Sequence, residues 1–357
     1  MFRLRSEGIE LTEITPVRLA VIGAGAIGRK HIETIARTDA AELVAIADPA
    51  PRAEAIAASC GTAYFDDHAA MLSSVKPDGV IVATPSEMHA GMALDALGGG
   101  AHVLIEKPIA ASLPEAERIV AQAKVSGRHV LVGHHRRYYP LVDRAREIVR
   151  GGDLGRLVAL NGQWTTLKPD PYYEPAWRRQ RKAGPVLTNL IHELDALRYI
   201  CGEISCISAE TSRVARGHEA EDTAAILIRF EGGALGTFLL SDVAPSPWTW
   251  EFATGENPAF PQHHENVCRF MGTEAALEFP NLKIWRYGDR ERGWNFAMRP
   301  QDISLPLGDA FATQCVHFCA VVEGEEPPRV TAEDATKSLA ATLAVFEAME
   351  TGRRVML

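Results

Sequence analysis

Short apolar segments alternate with longer segments of helical periodicity from residue 17 to residue 133. The apolar segments are rich in Val, Ile or Leu and short enough to be buried strands; they cover residues 17–22, 43–47, 79–83, 102–105 and 129–132. The helical segments between them include residues 26–36, 87–97 and 114–125. This order predicts a Rossmann-type α/β domain with a doubly wound parallel sheet.

The pattern changes after Gly133. Two helical stretches cover residues 141–150 and 186–200, and the final helices cover 310–322 and 332–349. The β-rich stretches cover residues 157–167, 204–214, 223–230, 234–240 and 275–279. Successive strands without intervening helices favour an antiparallel or mixed sheet. We therefore expect a dinucleotide-binding domain over residues 1–133 and an α+β substrate-binding and oligomerisation domain over 134–357. The C-terminal helices either stay with the second domain or pack back on the first.

Charge and composition narrow the class of protein. The chain has 37 Lys and Arg against 46 Asp and Glu, a net charge of −9, which argues against a nucleic-acid binder. Its longest uncharged run, residues 310–322, is shorter than the ~18 residues of a membrane span, so no membrane partner is expected. The six cysteines show no C-x-x-C pair, and Glu7, Glu10 and Glu13 stand where a secretory signal has its apolar core. We expect reduced thiols and a cytoplasmic location.

A glycine-rich turn follows the first predicted strand and opens a helix. We call residues 23–28 the glycine turn; its sequence is Gly23-Ala24-Gly25-Ala26-Ile27-Gly28. In this pattern the first glycine permits a tight turn, the second admits a pyrophosphate, and the third lets helix and strand pack closely. The helix N-terminus then offers free amide N–H groups to the phosphates. The pattern predicts a dinucleotide site, with a packing turn as the alternative.

Asp48 follows the second predicted strand, 20 residues after Gly28. A carboxylate there is suited to accept hydrogen bonds from the adenosine ribose hydroxyls, and it repels the 2′-phosphate of NADP. NAD is therefore the expected cofactor. NADP stays possible, because the guanidinium of Arg52 is close enough in sequence to pair with a phosphate.

Ligands of a doubly wound sheet lie beyond the carboxyl ends of its strands. Besides the glycine turn and Asp48, these ends carry Thr84-Pro85, Glu106-Lys107-Pro108 and Gly133-His134. Thr84-Pro85 makes a turn whose backbone can face the nicotinamide half of the cofactor, or it is an ordinary strand-ending turn. His89, one turn into the next helix, is a capping or surface histidine unless it contacts the cofactor.

Together these motifs resemble the Gfo/Idh/MocA family of nicotinamide-dependent oxidoreductases, which act mainly on sugars, polyols and related hydroxy compounds. The resemblance rests on the glycine turn, on Glu106-Lys107-Pro108, and on the segments 133–140, 177–178 and 184–195. It covers nearly the whole chain. It implies a second domain with an open, mostly antiparallel sheet, and a homo-oligomer, dimer or tetramer, formed through that sheet.

The resemblance also implies roles for individual residues. Lys107 and His192 are the expected catalytic pair, since alcohol oxidation needs a donor to the substrate oxygen and a base of near-neutral pKa. The expected cofactor-binding residues are Gly23, Gly25, Ala26, Ile27, Gly28, Asp48, Thr84, Pro85, His89, Glu106, Lys107 and Arg137. The small-molecule substrate is expected to contact Thr188, Asn189, Tyr172 and Trp177. Asp195 is three residues after His192 and either orients its ring or lies on the helix surface.

One position departs from the family pattern. Many members carry an aspartate four residues before the histidine, one helical turn away on the same face. Thr188 stands there, with Asn189 beside it, and neither carries a charge. A Lys–Asp–His relay and a close match to inositol dehydrogenases are therefore in doubt.

Other features have weaker implications. His263-His264-Glu265 resembles a metal-ligand group, but neighbouring residues of a strand point to opposite faces, so no metal site is predicted. The stretch 245–250, with two prolines and two tryptophans, lines a pocket or subunit contact or packs in the core. Two rival functions stay open: an NAD-using member that cleaves glycosides or reduces imines, and a non-catalytic cofactor sensor.

Overall fold

The computed structural model describes residues 15–181, 183–288 and 292–357, together with the backbone of two short antiparallel strands, β1 (Phe2–Arg3) and β2 (Thr12–Glu13). Glu7 and Glu10, used above for the expectation about the N-terminal segment, lie outside these residues. The chain divides into a first unit, Met1–His135 with Asp309–Leu339, and a second unit, Arg136–Gly308 with Ala340–Leu357. Within the described residues, the helices are all too short or too polar to cross a membrane.

The first unit contains a six-stranded parallel sheet of order β5-β4-β3-β6-β7-β8. Its strands are β3 (Val17–Ile22), β4 (Ala41–Ala47), β5 (Ala63–Phe65), β6 (Gly79–Val82), β7 (His102–Ile105) and β8 (Val130–Val132). The crossover helices are α1 (Ala26–Ile35), α2 (Arg52–Cys60), α3 (His68–Val75), α4 (Ser86–Gly98) and α5 (Leu113–Ser126). β6, β7 and β8 are buried at every residue, as expected of strands covered on both faces. The predicted Rossmann fold is confirmed.

The second unit is built on a ten-stranded sheet of order β17-β16-β15-β14-β9-β12-β11-β10-β18, with β13 also paired to β9. Its strands are β9 (Leu157–Leu167), β10 (Ile204–Ser212), β11 (Thr223–Phe230), β12 (Leu235–Ser241), β13 (Val243–Trp248), β14 (Cys268–Gly272), β15 (Ala275–Phe279), β16 (Lys283–Arg286), β17 (Arg299–Asp302) and β18 (Val355–Met356). The helices are α6 (Pro140–Arg150), α7 (Ile191–Cys201) and the short α8 (Trp250–Thr254). β9 and β12 run parallel, whereas the other pairs of this sheet are antiparallel. This confirms the predicted α+β class.

Burial alternates along the central strands of this sheet. In β11 and β12 every second side chain is buried, and the residues between them are exposed. The exposed set includes Leu227, Leu235 and Leu239, each of which is more than two-fifths accessible. One face of the sheet therefore covers a core, and the opposite face carries apolar side chains at the surface.

Two further helices complete the chain: α9 (Ala310–Val322) and α10 (Ala332–Thr351). α9 belongs to the first unit, where Cys315, Phe318 and Val321 join the core beneath β3. Phe318 approaches so closely that a Cβ at Gly79 would lie 3.0 Å from its ring. A segment more than 170 residues after β8 therefore completes the core of the parallel sheet.

The sequence pattern missed several elements for physical reasons. α2 is rich in alanine and buries little besides Ala53 and Ala57, so it lacks a strong apolar stripe. β17 is exposed at all four residues and contains Pro300, so it is a strand only because it pairs with β16 at the sheet edge. Apolar periodicity detects elements that bury a face, and these elements bury little.

Candidate active site

The glycine turn has the geometry that its three glycines predict. Gly23 has a φ of +95°, and a Cβ there would lie 2.6 Å from the Ala83 carbonyl oxygen. A Cβ at Gly28 would overlap the carbonyl oxygen of Gly23. A Cβ at Gly25 would instead meet no atom within 4 Å, so the turn has open space at that residue. The turn thus leaves no room for a side chain where helix and strand pack, and it has free space where α1 begins.

Amide groups converge at this opening. Gly25 is the N-cap of α1 and supplies no side-chain cap, so the first N–H groups of the helix, starting at Ala26 and Ile27, have no acceptor within the helix. Such N–H groups, together with the helix dipole, favour a negatively charged ligand. The turn can accept the pyrophosphate of a dinucleotide without any basic side chain.

Asp48 lies beside the glycine turn. Its Oδ2 accepts from the Ala24 amide at 2.6 Å and its Oδ1 from the Ala50 amide at 2.7 Å. The backbone also joins the two segments, because the Gly23 amide donates to the Ala47 carbonyl at 2.8 Å. The carboxylate is held in one orientation at the end of β4. Arg52 is exposed at the start of α2.

Thr84 and Pro85 follow β6, the strand next to β3. The strand order reverses between β3 and β6, and the crevice at such a switch point is where doubly wound sheets bind ligands. The Thr84 side chain would lie 2.9 Å from a Cβ at Gly23, so it packs directly on the turn. Its buried hydroxyl has no hydrogen-bond partner among the described residues. A buried polar atom of this kind is suited to a bound ligand.

His89 is 1% exposed and is therefore neither a surface nor an ordinary capping histidine. Its ring nitrogens lie 2.8 Å from the Thr84 carbonyl oxygen and 2.7 Å from that of Pro108. The imidazole joins the Thr84-Pro85 turn to the segment that carries Lys107. A contact between His89 and the cofactor stays a prediction.

Glu106 lies directly before Lys107 and points into the protein. Its Oε1 is 2.8 Å from His31 Nε2, and its Oε2 accepts from the Lys107 amide at 3.2 Å. Burial raises the pKa of Glu106, but the His31 hydrogen bond and the nearby charges of His31, His135 and Lys107 outweigh it and lower the pKa to about 2. The carboxylate is ionised and fixes the backbone at Lys107, where the peptide to Pro108 is cis.

The neighbouring histidines belong to the same packed region. His135 is 8% exposed and stacks on Phe311 of α9 at 4.7 Å, and His31 meets the edge of that ring at 5.5 Å. The rings of His134 and His135 are both buried, so these histidines are not part of a surface charge cluster.

In the second unit, the segment before His192 is not regular α-helix. Val186–Leu190 form one π-helical turn, and α7 starts at Ile191. The Glu221 carboxylate accepts from the Val186 amide at 2.9 Å, and a Cβ at Gly184 would overlap this carboxylate. The prediction of one α-helix over residues 186–200 was therefore wrong in its first turn. Since a π-turn is wider, the same-face spacing assumed for Thr188 and His192 does not apply.

Thr188 and Asn189 lie on this π-turn next to a lysine that the sequence analysis did not single out. The Thr188 hydroxyl is 2.9 Å from both the Gly184 carbonyl oxygen and Asn189 Oδ1. Lys168 Nζ donates to the same Asn189 oxygen at 2.9 Å. Lys168 directly follows the apolar strand β9, and this position at a strand end was the signal that could have identified it.

The Lys168 ammonium group lies close to a carboxylate and to two aromatic rings. Its side chain is 12% exposed, and Nζ lies 3.5 Å from Asp242, 5.4 Å from the ring centre of Trp164 and 4.9 Å from that of Tyr172. Burial lowers its pKa, against the opposing effect of Asp242. Asp242 also accepts from the Tyr173 hydroxyl.

Tyr172 and Trp177 flank a second cation. The Arg178 guanidinium carbon lies 3.9 Å from the Tyr172 ring centre and 5.2 Å from that of Trp177. Its Nη1 donates to the Tyr172 carbonyl at 2.8 Å. Thr188, Asn189 and Tyr172 are thus brought together through Lys168, whereas Trp177 is reached through Arg178 and is 54% exposed.

Arg137 forms an ion pair with a residue of α7. Its Nε and Nη2 donate to the two oxygens of Asp195 at 2.8 and 2.6 Å, and its side chain is 4% exposed. Arg136 pairs in parallel with Glu193 and Glu251. These pairs anchor the helix that carries His192. Direct cofactor binding by Arg137 stays a prediction.

Trp250 packs in the core and is 1% exposed, with Arg136 4.9 Å from its ring centre. Trp248, in the same apolar stretch, is 40% exposed on β13.

Comparison with known proteins agrees with this arrangement. Residues 17–134 match the Gfo/Idh/MocA oxidoreductase model described as an NAD-binding Rossmann fold, and residues 146–357 match the model of the family's C-terminal α/β domain. The chain belongs to the Gfo/Idh/MocA family. This confirms the resemblance inferred from the motifs, the oxidoreductase class and the nicotinamide cofactor.

Individual relatives cover almost the whole chain. Scyllo-inositol 2-dehydrogenase (NAD(+)) of Bacillus subtilis is 27% identical over 351 residues, with 96% of each chain covered. D-apiose dehydrogenase of Paraburkholderia graminis is 29% identical over 357 residues, covering 97% of this chain and 91% of the relative. The WlbA dehydrogenase of Bordetella pertussis, solved with NADH and UDP-GlcNAcA, is 24% identical with a TM-score of 0.79, over 96% of this chain and 99% of that one. The structural match supports the shared fold.

Proposed function

We propose that this member of the Gfo/Idh/MocA family is an NAD-preferring dehydrogenase or reductase that interconverts a secondary alcohol and a ketone on a sugar, polyol or cyclic hydroxy acid. The observation that carries the proposal is the row of groups along one edge of the parallel sheet. Asp48, the glycine turn, Thr84 and Lys107 follow the adjacent strands β4, β3, β6 and β7. The names of the relatives, an inositol dehydrogenase and an apiose dehydrogenase, support a polyhydroxylated substrate.

The residues of the first unit fit NAD. The amides that open α1 would bind the pyrophosphate, and Gly25 leaves room for it. The Asp48 carboxylate, held by two amides, would accept from the ribose hydroxyls and disfavour NADP. Thr84 and Pro85 would face the nicotinamide half, and the ring would accept or donate the hydride.

The proton follows a separate route. Lys107 would hydrogen-bond the reacting oxygen, and His192 would exchange the proton that leaves or returns with it. Glu106 would act as a positioning residue, because it holds the backbone at Lys107. Thr188, Asn189, Tyr172 and Trp177 would orient the substrate.

We assign nucleotide binding to residues 1–133 and substrate binding to residues 134–357, as part of the same proposal. The second domain would also form a homo-oligomer, dimer or tetramer, through the exposed sheet face with Leu227, Leu235 and Leu239. A Leu227→Lys, Leu239→Lys variant should shift the mass measured by light scattering toward the monomer. The free state of all six cysteines supports a reducing compartment such as the cytoplasm.

Two measurements test the function. NAD and NADP are added separately in a thermal-shift titration, and NAD should raise the melting temperature at the lower concentration. A panel of sugars, polyols and hydroxy acids is then screened by the absorbance of the reduced nicotinamide. If neither dinucleotide stabilises the protein and no compound is turned over, the proposal is wrong. A tightly held cofactor that is reoxidised within each cycle would support the glycoside-cleaving alternative.

A further inference from the structure

Two cations contact the Tyr172 ring in the second unit, and one of them also contacts Asn189. We call Lys168, Arg178 and Asn189 the donor cluster. Lys168 Nζ lies 4.9 Å and the Arg178 guanidinium carbon 3.9 Å from the Tyr172 ring centre, so the two cations share one aromatic ring. Asn189 joins the cluster because its Oδ1 accepts from Lys168 at 2.9 Å. Tyr172 and Asn189 belong to the proposed substrate site; Arg178 entered the sequence analysis only as part of the Trp177-Arg178 motif, and Lys168 did not enter it.

The two cations of the donor cluster differ in their carboxylate partners. Asp242 lies 3.5 Å from Lys168 and 4.0 Å from Arg216, and Arg216 also pairs with Asp170 at 3.1 Å. Two further carboxylates, Glu221 and Glu251, also act on the charge of Lys168. Arg178 remains, and within the described residues it forms no ion pair; it is held by the Tyr172 carbonyl and by two rings. Lys168 thus has carboxylates near it, whereas Arg178 is the cation of the cluster that pairs with none among the described residues.

The Arg178 side chain is also incompletely hydrogen-bonded. Its Nε is buried and has no hydrogen-bond partner in the described part of the chain. A buried donor of a charged group is costly when it stays unpaired, and buried charges are normally paired. A ligand atom that accepts a hydrogen bond and carries negative charge would remove this cost.

Asn189 adds a donor of defined orientation. An ammonium group can only donate, so the contact with Lys168 identifies the Asn189 atom that faces it as the oxygen. The Nδ2 group, with two N–H bonds, therefore faces away from Lys168. The aspartate found at the neighbouring position in many family members would accept hydrogen bonds from a hydroxyl, whereas Asn189 in this orientation donates. The cluster thus combines two cations and an amide donor.

We infer that the substrate carries a carboxylate, which the donor cluster binds while the reaction takes place at a carbinol elsewhere on the same molecule. This inference rests on the proposed function and narrows it to a hydroxy acid, such as a uronate or an aldonate. A carboxylate carries one negative charge and is planar, so it matches the one guanidinium that has no ion pair, whereas a phosphate monoester carries about 1.5 to 2 charges. The carbinol loses a hydride to NAD⁺ and a proton to the base, giving a ketone and NADH, and the carboxylate is unchanged. Arg178 and Lys168 are thus specificity-determining residues.

The test compares matched compounds that differ only in the anionic group. D-glucose, D-glucuronate and D-glucose 6-phosphate form one set, and D-galactose and D-galacturonate form another. For each compound, kcat and KM are measured with NAD, and binding to the NADH-loaded protein is measured by calorimetry. The acid should be preferred over both its neutral partner and the phosphate ester by tenfold or more in kcat/KM or in affinity.

Two variants and a matched control locate the effect. Arg178→Gln should raise KM for the acid by roughly tenfold to a hundredfold, with kcat and the KM of the neutral sugar changed less than threefold, as expected for a lost charged hydrogen bond. Lys168→Met should act in the same direction, with circular dichroism used to check the fold. Arg179→Gln removes the adjacent, exposed arginine and should change nothing.

The outcomes separate the inference from the function beneath it. Turnover that prefers neutral sugars, or an Arg178→Gln effect equal for acid and neutral compounds, overturns the inference and leaves the dehydrogenase function intact. A preference for the phosphate ester overturns the carboxylate assignment. If no compound is turned over, calorimetry decides, and equal affinity for acid and neutral partner overturns the inference. Failure of NAD and NADP to bind overturns the proposed function itself.

Discussion

The glycine turn of the first unit presents backbone groups, whereas the donor cluster of the second unit presents side chains. The turn is built from six consecutive residues, and its geometry depends on the absence of a Cβ at Gly23 and Gly28. The donor cluster combines residues from the end of β9, the segment before the π-turn, and the π-turn itself. Backbone amides suit a ligand part that is the same in every catalytic cycle. Side chains can be replaced singly by mutation without changing the backbone, which suits the part of a site that selects the substrate.

The first unit also depends on side chains at one point. Glu106 and His31 hold the segment that carries Lys107, and these two residues lie 75 positions apart in the sequence. The contrast is therefore between a local backbone motif, found in the first unit, and long-range polar networks, found in both units. The following experiments test this contrast, starting with the largest expected effect.

Lys107→Ala and His192→Ala remove one proposed proton-handling group from each unit. Each variant should lower kcat by about 10²–10⁴-fold, the usual contribution of general acid–base catalysis. NADH affinity, measured by fluorescence titration, should stay within a few-fold, because the glycine turn is unchanged. Lys124→Ala removes a surface lysine as a control and should leave kcat unaltered. Full activity of the double variant would refute the proposed roles.

Glu106→Gln tests the polar network beneath Lys107. The folded-state pKa of about 2 lies below the ordinary value of 4.5, so the native protein binds fewer protons than the unfolded chain between these pH values. This stabilisation is complete above the unfolded-state pKa and is lost as the pH falls through the folded-state pKa; it amounts to roughly 3 kcal/mol. Denaturant unfolding at a series of pH values should show a shallower acid dependence in Glu106→Gln than in the wild type.

The control for this variant is Glu117→Gln, which changes an exposed glutamate. It should keep the acid dependence of the wild type. An equal slope for the wild type and for Glu106→Gln would mean that the His31 contact does not hold the carboxylate ionised.

Gly28→Ala and Gly25→Ala separate packing from ligand binding within the glycine turn. A Cβ at Gly28 overlaps the Gly23 carbonyl oxygen, so this variant should lose about 1–3 kcal/mol of unfolding free energy. A Cβ at Gly25 meets open space, so Gly25→Ala should keep its stability but bind NAD about tenfold more weakly. Unfolding curves without NAD and NAD titrations distinguish the two. If both variants lose only stability, the open space at Gly25 has no role in binding.

Asp48→Asn tests the choice of dinucleotide. The variant removes the charge but keeps one oxygen for the Ala24 or Ala50 amide. The preference for NAD over NADP should fall by about tenfold in kcat/KM, because the repulsion of the 2′-phosphate is lost. Arg52→Gln, measured beside it, should leave the NAD reaction unchanged. A rise in NADP activity that depends on Arg52 would show that this arginine pairs with the phosphate.

Local patterns predicted a large part of the fold and of the nucleotide site. β3, β7 and β9 have the predicted bounds, since each is an apolar segment with clear limits. Thr84 was singled out from its place at a strand end, and Lys107 from such a place together with the family resemblance; the parallel sheet aligns these strand ends along one edge. The strands and their order were predictable because a parallel α/β sheet repeats one simple geometric rule, whereas the roles of Thr84 and Lys107 stay predictions.

The second unit was predictable only in outline. The π-turn before α7 depends on the Glu221 carboxylate, 35 residues after Val186, and no periodicity announces it. Arg178 lies on a 3₁₀ turn, Ala176–Arg179, and the sequence distinguished it from Arg179 only through the Trp177-Arg178 motif; its contacts with the Tyr172 and Trp177 rings arise only in the folded chain.

The sequence by itself determined the family, the order of strands and helices, and the geometry of the glycine turn, because each depends on residues close together in the chain. Only the tertiary structure decided that His89 and Glu106 are buried and hydrogen-bonded, that Asp195 is bound to Arg137, and that Lys168 contacts Asn189. The physical reason is that a backbone conformation is set by local sterics. The charge balance and donor geometry of a pocket depend on side chains that meet only after the chain has folded.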